Sequence, residues 1–360
     1  MLKICFILSN ISNCGGTERV CTQIATVLSN HNEVSILSFA KGKSYFQCGS
    51  QVRVFHLVRK FEQLFLFRHP KLLIAKLKFF FLFHRFDIVI DTFLNNANIT
   101  IPAIHGLNIR HLVWSNFSYE YFRRVPHEQV ALEKVKLNKS HLLVLTKGDM
   151  QQFLEKENFG AERIHQIYNP LPVVLPHVTE HLEKKVIAVG RFALEKGFDK
   201  LLEAWHIVEK FDNEWNLEIW GDVGYDTGNV HSTFNKLKLK RAQLFPATKD
   251  IYQHFGEASI YAMSSMHEGF PLVLLEAQSF SLPIVSFDCP NGPREIVTND
   301  YDGKLVPLND INELANALLY LMKNRNVRCL YGSRAFESAK RFNIDSIMSQ
   351  WEKLLNDIIS

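Results

Sequence analysis

Two glutamates, Glu268 and Glu276, stand eight positions apart in the stretch SSMHEGFPLVLLEA (264–277), with Gly269, Phe270 and Pro271 directly after the first. The apolar run ASIYAM (258–263) ahead of them reads as a short buried strand that stops at Ser264–Ser265. Pro271 suits the first position of a helix, where its fixed φ fits and its missing N–H is no loss. The helix then runs through Leu274, Leu275 and Ala277 until Pro283 ends it. Glu268 is thereby expected on a strand-to-helix loop and Glu276 one to two turns inside the helix. First-turn backbone N–H groups point out between the two carboxylates. A diphosphate can bind such N–H groups and the positive helix end, and carboxylates can accept hydrogen bonds from sugar hydroxyls. That is the chemistry of a nucleotide-sugar site.

Two further stretches carry matching chemistry. In KKVIAVGRFALEKGFDKLLEAW (184–205) a strand leads into a loop with Gly190, Arg191 and Lys196, then a helix on Leu201, Leu202 and Trp205. In a doubly wound sheet this loop shares an edge with the Glu268 loop, because ligands sit at the carboxyl ends of the strands. Arginine offers a bidentate fork and lysine a point charge, both suited to diphosphate oxygens. Near the start, Gly15 and Gly16 precede Thr17, which reads as the N-cap of a helix through Val20, Ile24, Ala25 and Leu28. Glycines there let a backbone approach a ligand closely. Read singly, each is ordinary: a surface Arg and Lys, a common turn, two chance glutamates.

Taken together, VGRF…EKG and the Glu-x7-Glu around a Gly-Phe-Pro turn resemble glycosyltransferase family 4. The resemblance implies the GT-B architecture, an α/β fold of two facing Rossmann-like domains with a C-terminal helix crossing back. It further implies a retaining hexosyltransferase that needs no metal or other cofactor, with the nucleotide sugar as substrate. On that basis Arg191 and Lys196 neutralise the leaving diphosphate, Glu276 holds the ribose and Glu268 a sugar hydroxyl. The N–H groups of Phe270, Leu272 and Val273 assist at phosphate oxygens, and Gly15–Gly16 face the diphosphate from the first domain. Many relatives carry a His two positions after a strand-ending Trp. Here Trp114 is followed at that place by Asn116, which hydrogen-bonds a hydroxyl but does not titrate near neutrality. His105 and His111 read as structural. Relatives often have a tighter glycine turn after LEIWG (217–221), whereas this chain inserts Val223 before Gly224. The stretch 244–255 is expected at the base, although the usual Gly near Phe245–Pro246 is absent.

The elements that must position these residues fit two βαβ halves. A chain of 360 residues with 47% apolar content supports two ordinary domains. Runs at 33–39, 52–57 and 87–93 continue a parallel-strand rhythm, and IYNPLPVVLP (167–176) reads as a hinge. The expected division is an acceptor-side domain over 1–171, a donor domain over 172–342 and a crossover helix over 343–360. The six cysteines form no CxxC pair and read as reduced, packed thiols. A net charge of +4 makes no case for nucleic acid. Asp300-Tyr301-Asp302 matches a metal-binding DxD pattern but reads as a solvated turn. The N-terminal apolar run is too short for a signal peptide and no stretch is long enough to span a bilayer, so a cytoplasmic chain is expected.

Residues 59–85 carry seven Lys/Arg against one acid, Glu62, with seven Phe interleaved. A helix from Pro70 places Arg68, Lys71, Lys78 and Arg85 within about a 100° stripe. Two readings compete here: a basic, aromatic surface on anionic lipid, or a helix packed on the sheet with its basic side in water. The family resemblance favours a glycan or lipid-linked acceptor, UDP as the donor nucleotide and a role in bacterial surface polysaccharide synthesis. A non-catalytic scaffold with a relic site, or a sugar-nucleotide epimerase on the same fold, are the alternatives.

Overall fold

The structure is a computed structural model that describes residues 1–58, 62, 66, 68–172, 183–222 and 226–360. The chain divides into two compact units, Met1–Pro172 with Ile344–Ser360, and Val173–Asn343. The hinge expected at 167–176 lies partly outside the described residues, as does the Val223–Gly224 insertion.

In the first unit the strands are β1 (Lys3–Leu8), β2 (Glu33–Ser38), β3 (Arg53–His56), β4 (Ile88–Asp91), β5 (Arg110–Trp114), β6 (His141–Val144) and β7 (Ile164–Gln166). Its helices are α1 (Gly16–Leu28), α2 (Pro70–His84), α3 (Ala97–Ile104), α4 (Tyr119–Arg124), α5 (Pro126–Leu137) and α6 (Lys147–Glu157). The sheet order is β3-β2-β1-β4-β5-β6-β7, parallel throughout. Helices cover both faces of such a sheet, so β1 reads KICFIL, almost continuously apolar, with no alternation.

Proline at N1 starts α2 where the sequence places it, and Arg85 ends it at φ 53°. Leu73, Leu77 and Phe81, four residues apart, bury one face of α2 in the core with Phe86 and Val89. The basic stripe is only partly as expected. Lys78 folds back onto the His105 carbonyl (2.9 Å) and Lys76 pairs with Glu62 (2.8 Å). Arg68, Lys71 and Arg85 are exposed, as are Leu72, Phe79, Leu82 and Phe83, with Phe79 71% and Phe83 76% exposed.

The second unit holds β8 (Lys185–Val189), β9 (Asn216–Gly221), β10 (Ala242–Pro246), β11 (Ile260–Met263), β12 (Ile284–Phe287) and β13 (Gly303–Val306). They form a parallel sheet in the order β10-β9-β8-β11-β12-β13. The helices are α7 (Phe198–Val208), α8 (Val230–Leu237), α9 (Ile251–Glu257), α10 (Leu272–Ser279), α11 (Gly292–Ile296), α12 (Ile311–Lys323) and α13 (Arg325–Ala339). Strand order reverses between β8 and β11, which makes the carboxyl edge of these two strands the switch point where doubly wound sheets bind ligands.

The last helix, α14 (Ile344–Ile359), belongs to the first unit. Its buried stripe is Ile347, Met348, Trp351, Leu354, Leu355 and Ile358. Trp351 lies edge-on to Trp114 at 5.0 Å and beside Phe6 at 6.2 Å, capping β1 and β5.

Candidate functional site

The two loops at the β8/β11 switch point carry most of the expected site. After β8, Gly190 donates to the Trp220 carbonyl (3.0 Å), and a 3₁₀ turn over Leu194–Lys196 ends at Gly197. Gly197 has φ +58°, and a Cβ there would stand 2.3 Å from the Ser264 carbonyl oxygen. Only glycine lets this backbone meet the β11 loop. The contact is stitched by Ser264 Oγ donating to the Lys196 carbonyl (2.9 Å) and the Met266 N–H donating to the Glu195 carbonyl (2.7 Å).

This stitching brings Lys196 Nζ to 2.7 Å from Glu268 Oε1, a half-buried ion pair between residues 72 positions apart. Glu268 is held from its other side. It forms a parallel bridge with Asn291, and Gly292 packs so tightly that a Cβ would sit 2.6 Å from Pro271 Cδ and 3.2 Å from Glu268 Cβ. Asn291 itself adopts φ 73°, ψ −71°, a strained conformation outside glycine.

Pro271 is the N-cap of α10 rather than its first residue, so the helix begins one residue later than expected. Pro271 cannot donate, and its carbonyl accepts from the Leu274 N–H (3.0 Å). Leu272 and Val273 form the first turn, half-exposed, whereas Phe270 is buried edge-on to Phe342 (5.6 Å). Gly269 lies between, half-exposed. Glu276, one turn on, is buried and accepts from Tyr252 Oη at 2.8 Å. Tyr252 comes from α9 and stacks on Phe280 (5.7 Å).

Charge at the switch point is balanced with care. Burial first, then the nearby Glu276 and Glu268, raise the Tyr261 phenol, whose hydroxyl donates to the Val189 carbonyl (3.3 Å). Burial and then Glu268 likewise raise the Cys289 thiol, so Cys289 is a neutral packing group. Arg191 is exposed and pairs with Glu195 (3.0 Å), so its guanidinium is not held against Glu268.

Gly15, Gly16 and Asn116 belong to the first unit. The cap of α1 is Gly15, and Thr17 lies within the helix, against the expected threonine cap. The buried Glu18 carboxylate stands over Gly15, where a Cβ would meet its Oε2 at 2.6 Å, and accepts from Asn13 (3.3 Å). A side chain of this protein already sits at that positive helix end. Asn116 spends its amide N–H₂ on the carbonyls of Thr92 (3.0 Å) and Trp114 (3.3 Å). His111 is buried between Asp91 (2.9 Å) and Ser140 (2.8 Å). The DxD match is the turn expected, solvated at Asp300 and Tyr301 but not at Asp302. Asp302 is fully buried, accepting from the Thr298 N–H (2.7 Å), while Asp300 pairs with Lys304 at the surface.

Sequence reasoning missed Tyr252, Asn291, Glu195 and Ser264. Tyr252, Asn291 and Ser264 each reach the site from a different element than the residue they support, so no local pattern marks them, whereas Glu195 shares the loop of Arg191. Tyr252, Ser264 and Glu195 lay inside stretches already tied to the ligand, 244–255, 264–277 and 184–205.

Comparison with known proteins bears on the fold and the activity. Residues 177–338 match the family model for glycosyl transferases group 1. The amylovoran biosynthesis glycosyltransferase AmsD of Erwinia amylovora is 27% identical over 99% of this chain and 100% of its own. The GalNAc-alpha-(1->4)-GalNAc-alpha-(1->3)-diNAcBac-PP-undecaprenol alpha-1,4-N-acetyl-D-galactosaminyltransferase of Campylobacter jejuni is 25% identical over 99% of both chains. Among solved structures, Anabaena HepE in complex with UDP and glucose superposes with a TM-score of 0.79 at 19% identity, over 99% of this chain and 100% of that one. Two parallel Rossmann-like sheets, the group 1 match across the second unit and relatives aligned end to end agree: the second unit is similar to the group 1 glycosyl transferases, and the chain is a glycosyltransferase of GT-B fold.

Proposed function

We propose that this enzyme moves a hexose or N-acetylhexosamine from a UDP-sugar to a glycan or lipid-linked glycan acceptor in bacterial surface polysaccharide synthesis, with retention and without a metal. The observation that carries the reading is the Lys196–Glu268 pair beside the Glu276–Tyr252 pair at one switch point. The UDP bound to HepE and the polysaccharide and undecaprenol-linked roles named for the relatives support it.

Donor arrival would exchange one set of partners for another. Lys196 turns from Glu268 to the diphosphate, Glu268 accepts from a sugar hydroxyl, and Glu276 from the ribose. The bond from the anomeric carbon to phosphate oxygen breaks, leaving charge on the diphosphate that Arg191, Lys196 and the α10 N–H groups stabilise. The acceptor hydroxyl attacks on the same face, and its proton passes to the leaving phosphate oxygen.

Thermal shift with UDP, GDP and their sugars tests the donor site, because a ligand of the folded state raises Tm by mass action. Stabilisation by UDP and one UDP-sugar, lost in Glu276→Ala, is expected. Arg191→Ala removes a charge-assisted contact of about 1.5–3 kcal/mol and should slow transfer about tenfold to a hundredfold or more. A silent nucleotide panel would make the non-catalytic scaffold the better reading.

The same proposal seats the enzyme on the cytoplasmic face of a membrane through α2. Among the described residues no helix is long and apolar enough to cross one. The exposed Leu72, Phe79, Leu82 and Phe83, with the exposed cations Arg68, Lys71 and Arg85, fit shallow insertion among anionic headgroups. Co-sedimentation with phosphatidylglycerol vesicles, lost in Phe79→Ser/Phe83→Ser, is expected. Equal pelleting of wild type and variant would remove α2 from that role.

A further inference from the structure

A ladder of three aromatic rings stands on the carboxyl edge of the first sheet. Phe93 follows β4, Phe117 follows β5 and Tyr121 lies on α4. Phe93 and Phe117 stack at 5.5 Å and 30°, Phe117 and Tyr121 at 4.3 Å and 28°. Phe117 and Tyr121 are each 41% exposed. Folding does not require this exposure, because the neighbouring rings of α4, Tyr119 and Phe122, bury themselves against Phe153. With one face on Phe117, Tyr121 offers its other face and rim to water.

Beside the ladder lies a polar group with unused capacity. Asn98 donates to Asn95 Oδ1 (3.0 Å) and to the His127 carbonyl (3.1 Å), while its own Oδ1 is buried and accepts nothing. Glu128, from α5, is buried and accepts from the backbone N–H of Asn95. Burial pushes its acid up to about 7, so near neutrality part of the population carries an O–H donor. Its closeness to the ladder shows in Tyr121, whose phenol is raised by burial first and by Glu128 second.

We infer that Phe93, Phe117 and Tyr121, with Asn95, Asn98 and Glu128 at their side, form a subsite for a pyranose ring of the acceptor glycan; this rests on the transferase reading above. A pyranose has a face of C–H groups and a rim of hydroxyls. The electron-rich ring face takes the former, and the exposed Asn95 amide, held from behind by Asn98 and Glu128, takes the latter. Carboxyl-edge loops are where doubly wound sheets bind ligands, and the ladder adjoins Asn116 in sequence.

Fluorine NMR of the fluorotyrosine-labelled full chain tests this, with the Tyr121 signal assigned through Tyr121→Phe. The probes are the methyl α-glycosides of glucose, galactose and their 2-acetamido forms, titrated with and without saturating UDP. A millimolar-range shift of the Tyr121 signal by at least one glycoside is expected, unaffected by UDP. It should weaken about tenfold in Phe117→Ala and in Phe117→Leu, the second keeping the apolar bulk without the ring. A Tyr121 signal unmoved by all four glycosides overturns the subsite, as does a shift retained in both variants or displaced by UDP. UDP stabilisation of the same samples separates the two readings: if it persists while the glycosides do nothing, the subsite fails and the donor reading stands.

Discussion

At the scale of single residues, the site works through side chains that hold other side chains. Tyr252 is the clearest case. Its hydroxyl is 2.8 Å from Glu276, so Tyr252→Phe should raise the KM for the UDP-sugar about tenfold with little change in kcat, the loss of one hydrogen bond to a charged group. Steady-state kinetics over donor concentration decide it, and an unchanged KM would leave Tyr252 as packing only. Glu128 allows a prediction in pH. Its acid sits at about 7 when folded, against an ordinary 4.5, so between those values the folded chain binds more protons than the unfolded one. Its stabilising contribution is full below about pH 4.5 and disappears as pH rises through about 7. Glu128→Gln should therefore melt higher than wild type above neutrality, with the gap closing in acid. That the loops of Lys196 and Glu268 share one sheet edge was legible in sequence, because each follows a strand of a doubly wound sheet. The ion pair that Arg191 makes with Glu195, four residues on, spans the loop ahead of α7 and not an α-helix, so periodicity did not mark it.

At the scale of elements, glycine and proline decided how well sequence forecast structure. Pro70 started α2 and Pro271 preceded α10, as proline's fixed φ requires, with an error of one residue at the second. The cap of α1 was misplaced because Thr17 resembles an N-cap residue, while Gly15 already supplies the extended backbone that a cap needs. The outer face of α2 came out mixed: of the four cations expected on the stripe, Arg68, Lys71 and Arg85 are exposed while the long stem of Lys78 curls onto the His105 carbonyl, and Phe79 and Phe83 stay uncovered. Gly197 gives the element-scale test. Gly197→Ala combines φ +58° with a Cβ 2.3 Å from the Ser264 carbonyl, and should cost about 1–3 kcal/mol while separating Lys196 from Glu268. A lower Tm together with weaker UDP stabilisation is expected. A lower Tm alone would show that the two loops do not need this contact for the donor.

At the scale of the whole molecule, two repeats of one topology carry different groups at their carboxyl edges, the second the Lys196–Glu268 pair and the first an aromatic ladder. Periodicity announced both sheets, since parallel strands covered on each side read as unbroken apolar runs. It could not announce which sheet the final helix would join, because an amphipathic stripe names a need for cover and not the surface that supplies it. That surface is β1 and β5 of the first unit, through Phe6 and Trp114. Trp351→Ala should therefore cost about 3–5 kcal/mol and strip hydrogen-exchange protection from β1 and β5 while sparing β8 and β11. Uniform loss across both sheets would show that the units unfold as one. The placement of α14 has a consequence for how the polypeptide is made. A ribosome releases the first sheet early, but the tryptophan that closes it emerges only after the entire second unit has been synthesised. Throughout that interval Phe6 and Trp114 lack their lid, so a nascent chain stalled late in translation would be the form most in need of a chaperone.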